Sequence, residues 1–299
     1  MGTPLYYASL LGLQRTAQVL LDKGEDINAQ GICGSALQQA SSRGHEGIVK
    51  LFLANGADVK TRDGSRTALQ LASARGYEGI VKLLLANSAD VKTRDGSRTA
   101  LQLASARGHK GIVKLLLANS ADVNPRHCEG SALQLASAGG HEGIVKLLLA
   151  NGADVNVRGY DESALEIASA GGHEGIVKLL LANGADVNAR DGSRTALQLA
   201  SARGYEGIVE LLLANGADVK TIVELLLANS ADVNPRHCEG SALQLASAGG
   251  HEGIVKLLLA NSADVNVWGC DKSALETASA RGYEGIVKLL LVNGADTKA

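Results

Sequence analysis

Seven histidines and four cysteines are the side chains of this 299-residue chain that could ligate a metal or act as nucleophiles. His45, His109, His141, His173 and His251 each follow a Gly at one recurring position, where Leu13, Tyr77, Tyr205 and Tyr283 stand in other copies. A position that accepts His, Tyr and Leu is a packing position, because Leu cannot replace an imidazole as base or ligand. His127-Cys128 and His237-Cys238 form a second group, each inside a Pro-Arg-His-Cys-Glu-Gly turn. Zinc needs about four ligands converging at ~2.0–2.3 Å, and these two pairs stand 110 residues apart. Cys33, Cys128, Cys238 and Cys270 all fall in turns. A disulfide needs Cα atoms within ~7 Å, and stacked helices lie ~8–10 Å apart, so free thiols in a reducing compartment are expected. Asp58, Asp90 and Asp154 follow helix ends in series and read as turn residues. No phosphate-cradling loop stands out, since the Gly residues recur with the turns. The sequence predicts no catalysis, no cofactor and no metal.

The residues that recur in a way a binding surface can use are basic and aromatic. Arg62, Arg94, Arg126, Arg158 and Arg190 occupy one turn position at intervals of 32 residues. Arg66, Arg98 and Arg194 lie four residues further along, and Arg236 repeats the Arg126 turn. A guanidinium makes bidentate contacts to carboxylates. Trp268, the single Trp, takes the ladder position in a later copy, and Tyr160 lies in a turn. Trp, Tyr and Arg are enriched at interface hot spots. These residues make up the candidate partner-binding set. Two plainer readings compete: Arg62 and its copies neutralise Asp63 and its copies, and Trp268 packs on the neighbouring turn.

The elements that must position them repeat. The Ala-Leu pair at Ala36 returns at Ala68, Ala100, Ala132, Ala164 and Ala196, each 32 later, and again at Ala242 and Ala274. A fixed period of this size marks a repeat architecture. Pro4-Leu5 stands one period before Ala36, and Thr221 to Asn234 add 14 residues between Ala196 and Ala242. The chain reads as nine full repeats and one truncated repeat. Within one unit, Thr67 is an N-cap and Gln70 completes a capping box. The same pair recurs at Ser35/Gln38, Thr99/Gln102, Ser131/Gln134, Ser163/Glu166, Thr195/Gln198, Ser241/Gln244 and Ser273/Glu276. A first helix is predicted from Ala68 to about Ala74, ended by Gly76. Glu78 opens a second helix with Ile80, Val81, Leu83, Leu84 and Leu85 as its apolar part. Asp90 to Arg98 forms an extended turn into the next unit. One such hairpin is too small to bury its own apolar face, so neighbours must stack.

The unit resembles an ankyrin repeat, and the resemblance covers essentially the whole chain. Thr3-Pro4-Leu5 keeps the family's opening Thr-Pro-Leu. The period is one residue short of the family's usual ~33. Ala replaces the Pro in every later copy, and Gln, Glu or, in the first copy, Tyr6 replaces the family's next His. The capping box is expected to tie turn to helix in place of that His. The resemblance implies an all-α solenoid of stacked helix-turn-helix repeats, a binding module without catalysis. Turns and first helices would line its concave face and second helices its back. Fourteen of the 15 Arg would then fall on the concave side, and seven of the 14 Lys recur at one second-helix position, from Lys50 and Lys82 to Lys288.

Charge and composition narrow the function further. Lys plus Arg is 29 against 31 Asp plus Glu, a formal net charge of −2, which excludes a strongly basic nucleic-acid binder as a whole-chain description. An apolar fraction of 45% is enough for a core. No apolar run approaches the ~18 residues of a membrane helix, and the Met1 end lacks a signal-peptide pattern, so a cytoplasmic or nuclear protein is expected. The expected organisation is one solenoid over 1–299, with sub-blocks 1–220 and 221–299 and a discontinuity near 215–235. Residues 222–265 match residues 112–155 except for Glu224 against Lys114 and Ser262 against Gly152. This is either a duplication that lost a first helix or an error in the gene model. A lost helix predicts a notch in the inner layer and a less stable C-terminal block. The predicted function is recognition of a protein partner bearing an acidic extended segment, with no small-molecule substrate and no membrane. Two alternatives are the sensor region of a larger signalling protein and nucleic-acid binding through the Arg ladder. Against the latter, Arg and Asp alternate and aromatic stacking residues are sparse.

Overall fold

The protein is described from a computed structural model covering residues 2–31, 34–61, 66–95, 98–125, 130–157, 162–189, 194–219, 240–267 and 272–297. It divides into two compact units, Met1–Asp154 and Val155–Ala299. In the first unit the first helices are α1 (Pro4–Leu10), α3 (Ala36–Arg43), α5 (Ala68–Arg75), α7 (Ala100–Ala106) and α9 (Ala132–Ala138). Their second helices are α2 (Gln14–Asp22), α4 (Glu46–Ala54), α6 (Glu78–Ala86), α8 (Lys110–Ala118) and α10 (Glu142–Ala150). In the second unit, α11 (Ala164–Gly171), α13 (Ala196–Arg203), α15 (Ala242–Gly249) and α17 (Ala274–Ala280) alternate with α12 (Glu174–Ala182), α14 (Glu206–Ala214), α16 (Glu252–Ala260) and α18 (Glu284–Val292). Among the described residues the architecture is an all-α solenoid of stacked helix pairs, with only short two-residue strands.

Local chemistry sets the helix ends. The Thr67 hydroxyl accepts the Gln70 N–H at 3.3 Å, and Gln70 Oε1 accepts the Thr67 N–H at 2.8 Å. All eight capping boxes read from the sequence form in this way. In α1 Thr3 caps alone, with Pro4 in the first turn, where its missing N–H has no cost. Gly76 closes α5 at φ 83°, a conformation that costs an L side chain about 1–2 kcal/mol. A second constraint acts at the same Gly. A Cβ there would lie 2.7 Å from the His109 ring of the next repeat. His45, Tyr77, His141, Tyr205, His251 and Tyr283 cover the corresponding Gly12, Gly44, Gly108, Gly172, Gly204 and Gly250. The recurrent His is thus a flat lid on a neighbouring helix end, which Tyr serves equally well.

The core is a row of nearly identical, mainly aliphatic layers in each unit. Ile80, Val81 and Leu84 of α6 and Ala68, Leu69 and Ala72 of α5 are buried, and the inner layers repeat them, with Phe52 in the Leu84 place of α4. Within each unit the first helices pack on one another more closely than the second helices do. Small Ala side chains permit the close approach, while Leu holds the second helices apart.

On either side of the predicted discontinuity the described helices pack on one another. First helix α13 packs directly on α15, and α14 packs on α16. Gln198 Nε2 donates to the Gly240 carbonyl at 2.8 Å, repeating the Gln102 to Gly130 bond of 2.7 Å. His251 covers Gly204 as His109 covers Gly76. Asp218 and Gly240, at the two ends of this connection, keep the partners that their counterparts have in other repeats. Residues 220–239 themselves lie outside the described ones.

Candidate partner-binding face

The turns between a second helix and the next first helix are called fingers here. Where both arms are described, the finger is an antiparallel hairpin. β1 (Gln30–Gly31) pairs with β2 (Gly34–Ser35), and β3 (Arg94–Asp95) pairs with β4 (Arg98–Thr99). The register sets Arg94 opposite Thr99 and Asp95 opposite Arg98.

The fingers are clamped from below. At the base, Asp90 Oδ1 accepts the Lys92 N–H and Oδ2 accepts the Thr93 hydroxyl, both at 2.9 Å, a turn that Asp favours by bonding its own backbone two residues on. From the preceding repeat, Gln70 Nε2 donates to the carbonyls of Thr93 at 3.2 Å and Arg98 at 2.9 Å. One buried amide therefore joins the two arms of a finger and holds its own N-cap at once. Gln38 bridges Thr61 and Arg66, and Gln244 bridges Val267 and Lys272, in the same way. The capping role is legible in sequence; the clamp on the next finger is not, because its acceptors are main-chain atoms of another repeat.

A second tie runs between neighbouring fingers through Asn. Asn156 Oδ1 accepts the Asp186 N–H at 2.9 Å and its Nδ2 donates to the Gly184 carbonyl at 3.0 Å. Asn124, Asn188 and Asn266 make the same pair of bonds. Lys60 and Lys92 occupy the equivalent positions and cannot accept. Beside Lys92 a cleft of 360 Å³ opens, lined by Val91, Lys92, Arg94, Thr99, Ser120, Asp122 and Pro125. Lys92→Asn is expected to close this cleft and to stabilise the protein by about 1 kcal/mol, raising the melting temperature by about 2–4 °C. An unchanged melting temperature would mean that the two loops cannot approach.

Four of the candidate site residues lie in the described part: Arg94 and Arg98 on opposite arms of one finger, and Arg66 and Arg194 just before the N-caps of α5 and α13. Each already has a partner within the protein. Arg62, Arg126, Arg158, Tyr160, Arg190, Arg236 and Trp268 lie outside the described residues, as do Cys33, Cys128, Cys238 and Cys270. Arg203 and Arg281 serve the scaffold: their Nη1 atoms donate to the Ala170 and Ala248 carbonyls of the preceding repeat at 2.6 Å. Lysines on the opposite side are paired within their helices, Lys82 to Glu78 at 2.9 Å and Lys146 to Glu142 at 2.7 Å. Among the described residues no group of three His, Cys, Asp or Glu is placed to hold a metal. No described helix is long and apolar enough to cross a membrane.

Stacked helix pairs, fingers and a short helix–turn–helix unit are matched by comparison with known proteins. A family profile described as Ankyrin repeats (3 copies) matches residues 32–95, 92–159, 157–222 and 219–299, and a second, Ankyrin repeats (many copies), matches 5–53. This chain belongs to the ankyrin-repeat family. Among solved structures the ankyrin-repeat chain is similar to the crystal structure of human ASB11 ankyrin repeat domain, at 26% identity and a TM-score of 0.65. That similarity covers 72% of this chain and 99% of the other. A search of curated proteins finds no match. Ankyrin repeats are protein–protein interaction modules, typically without catalysis of their own.

Proposed function

We propose that this ankyrin-repeat protein binds a protein partner through its fingers and first helices, and that the partner contributes an acidic, extended segment. The observation that carries the reading is the contrast between the two sides of one layer. Second helices are nearly identical from copy to copy and present Lys already paired to Glu on the same helix. Fingers differ between copies and carry Arg at recurring positions. Exposed loops held by a rigid scaffold are where binding residues collect. The glutamine clamp supplies that rigidity, so a bound segment need not pay for ordering the fingers.

The test is a binding measurement on a partner captured and identified by mass spectrometry. The double variant Arg94→Glu/Arg98→Glu should weaken binding about 100-fold or more, since hot-spot side chains contribute ~2 kcal/mol or more each. Lys82→Glu/Lys114→Glu on the second helices should leave affinity within about threefold. Equal losses in both variants, or none in the first, would refute the proposed face. Binding to nucleic acid that weakens steeply with added salt would instead support a phosphate-binding role.

A further inference from the structure

Neighbouring repeats within a unit meet through three pairs of positions at the helix–turn–helix corner. At the end of a first helix, Arg203 and Arg281 donate to the Ala170 and Ala248 carbonyls of the preceding repeat at 2.6 Å. Two residues on, Tyr205 and Tyr283 cover Gly172 and Gly250. Two residues further, Gly207 and Gly285 leave room for the carboxylates of Glu174 and Glu252, and a Cβ at Gly207 would stand 2.9 Å from Glu174 Oε2.

The first and last repeats each hold one half of these pairs. In the first, the places of Arg281, Tyr283 and Gly285 are taken by Leu11, Leu13 and Arg15. Leu11 is 65% and Leu13 46% exposed, and Arg15 is exposed beside them. In the last, the places of Ala248, Gly250 and Glu252 are taken by Ala280, Gly282 and Glu284, all three exposed. A Cβ on Gly282 would meet nothing within 4 Å. One face has lids with nothing beneath them, and the other has the surface that such lids cover.

We infer that the protein associates with further copies of itself head to tail, the α2 face of one copy stacking on the α17–α18 face of the next in the register that joins neighbouring repeats. Leu11 then lies over Ala280, Leu13 over Gly282, and Arg15 meets Glu284. The substitutions in the first repeat suit this contact. Leu in place of Arg and of His or Tyr makes its edge apolar. Arg15 stands where every other full second helix has Gly, so a guanidinium faces the carboxylate that Gly only accommodates elsewhere, as a charge-assisted pair. A cleft of 670 Å³, lined by Leu13, Gln14, Arg15, Thr16 and Gln18, gives that carboxylate room. On the other face Val287 is only half-buried, where its counterparts from Val49 to Val255 are fully buried, so stacking removes apolar surface from water on both sides. Two different faces make the interface heterologous. Each added copy leaves one face of each kind free, and association continues beyond two.

Sedimentation velocity on the 299-residue protein at rising concentration tests this. The weight-average mass should climb past that of a dimer. Arg15→Glu places like charges opposite each other and should raise the concentration needed for association about tenfold or more, and Glu284→Arg should do the same. Both side chains are exposed, so neither change should lower the melting temperature measurably. The charge swap Arg15→Glu/Glu284→Arg should recover association, as should an equimolar mixture of the two single variants. A monomer at every concentration overturns the inference, and so do single variants that associate like wild type. Association lost in both single variants and recovered by neither the swap nor the mixture would mean that Arg15 and Glu284 do not face each other, and overturns it too.

Discussion

Gln102→Ala is expected to lower the unfolding free energy by about 3 kcal/mol, one of the largest single-residue effects in this protein. Gln102 is fully buried, accepts the Thr99 N–H at 2.8 Å and donates to the Gly130 carbonyl at 2.7 Å. Truncation removes both bonds and leaves two main-chain groups without partners, each costing ~1–3 kcal/mol. The loss spreads beyond one helix, since the same amide holds a cap and the following finger. A fall of about 6–12 °C in melting temperature follows for a chain of this size. Gln18→Ala is the control: its exposed bond to Asp22 at 2.8 Å is worth only a few tenths of a kcal/mol. If Gln102→Ala shifts the transition by less than about 2 °C, the clamp is not a structural tie.

The opposite sign is expected for the buried serines. Ser73, Ser105 and Ser137 sit one turn into successive first helices, fully buried, and their hydroxyls have no hydrogen-bond partner. Ser9 in the first repeat differs, since its hydroxyl donates to the Leu5 carbonyl at 2.8 Å. An unpaired buried hydroxyl costs ~1–3 kcal/mol, and Ala is the better helix former by ~0.5 kcal/mol. Losing the oxygen's packing offsets part of this gain. The triple variant Ser73→Ala/Ser105→Ala/Ser137→Ala should therefore gain about 3 kcal/mol, the three layers contributing nearly additively. A lower melting temperature than wild type would mean that the hydroxyls fill space more usefully than a methyl group can.

Much of the fold was legible because its signals are local. The Ser/Thr and Gln/Glu pairs three residues apart mark every described first-helix start after α1, and Gly76 marks an end, because capping depends on neighbours in sequence. The packing role of His45 and its copies was legible from its exchange with Tyr and Leu. What it packs on, the left-handed Gly one repeat back, was not. The clamp from Gln70 to Thr93 and Arg98 and the tie from Asn156 to Asp186 escaped for a related reason: their acceptors and donors lie 23 to 30 residues away in another copy. The predicted discontinuity near 215–235 falls largely on residues 220–239, outside the described ones, and the direct packing of α13 on α15 across it is a contact between copies that local pattern does not carry. Of the candidate face, the Arg spacing was legible; the use of Arg203 and Arg281 as scaffold ties to carbonyls 33 residues back was not.

Photo-cross-linking from the two sides of one region tests the binding face most directly. A photo-reactive phenylalanine analogue replaces Arg98 on the finger in one preparation and Lys82 on the second helix in another. The identified partner should cross-link from position 98 and be displaced by unlabelled protein, while position 82 yields no specific product. Cross-linking from position 82 alone, or equally from both, would contradict recognition through the fingers and first helices.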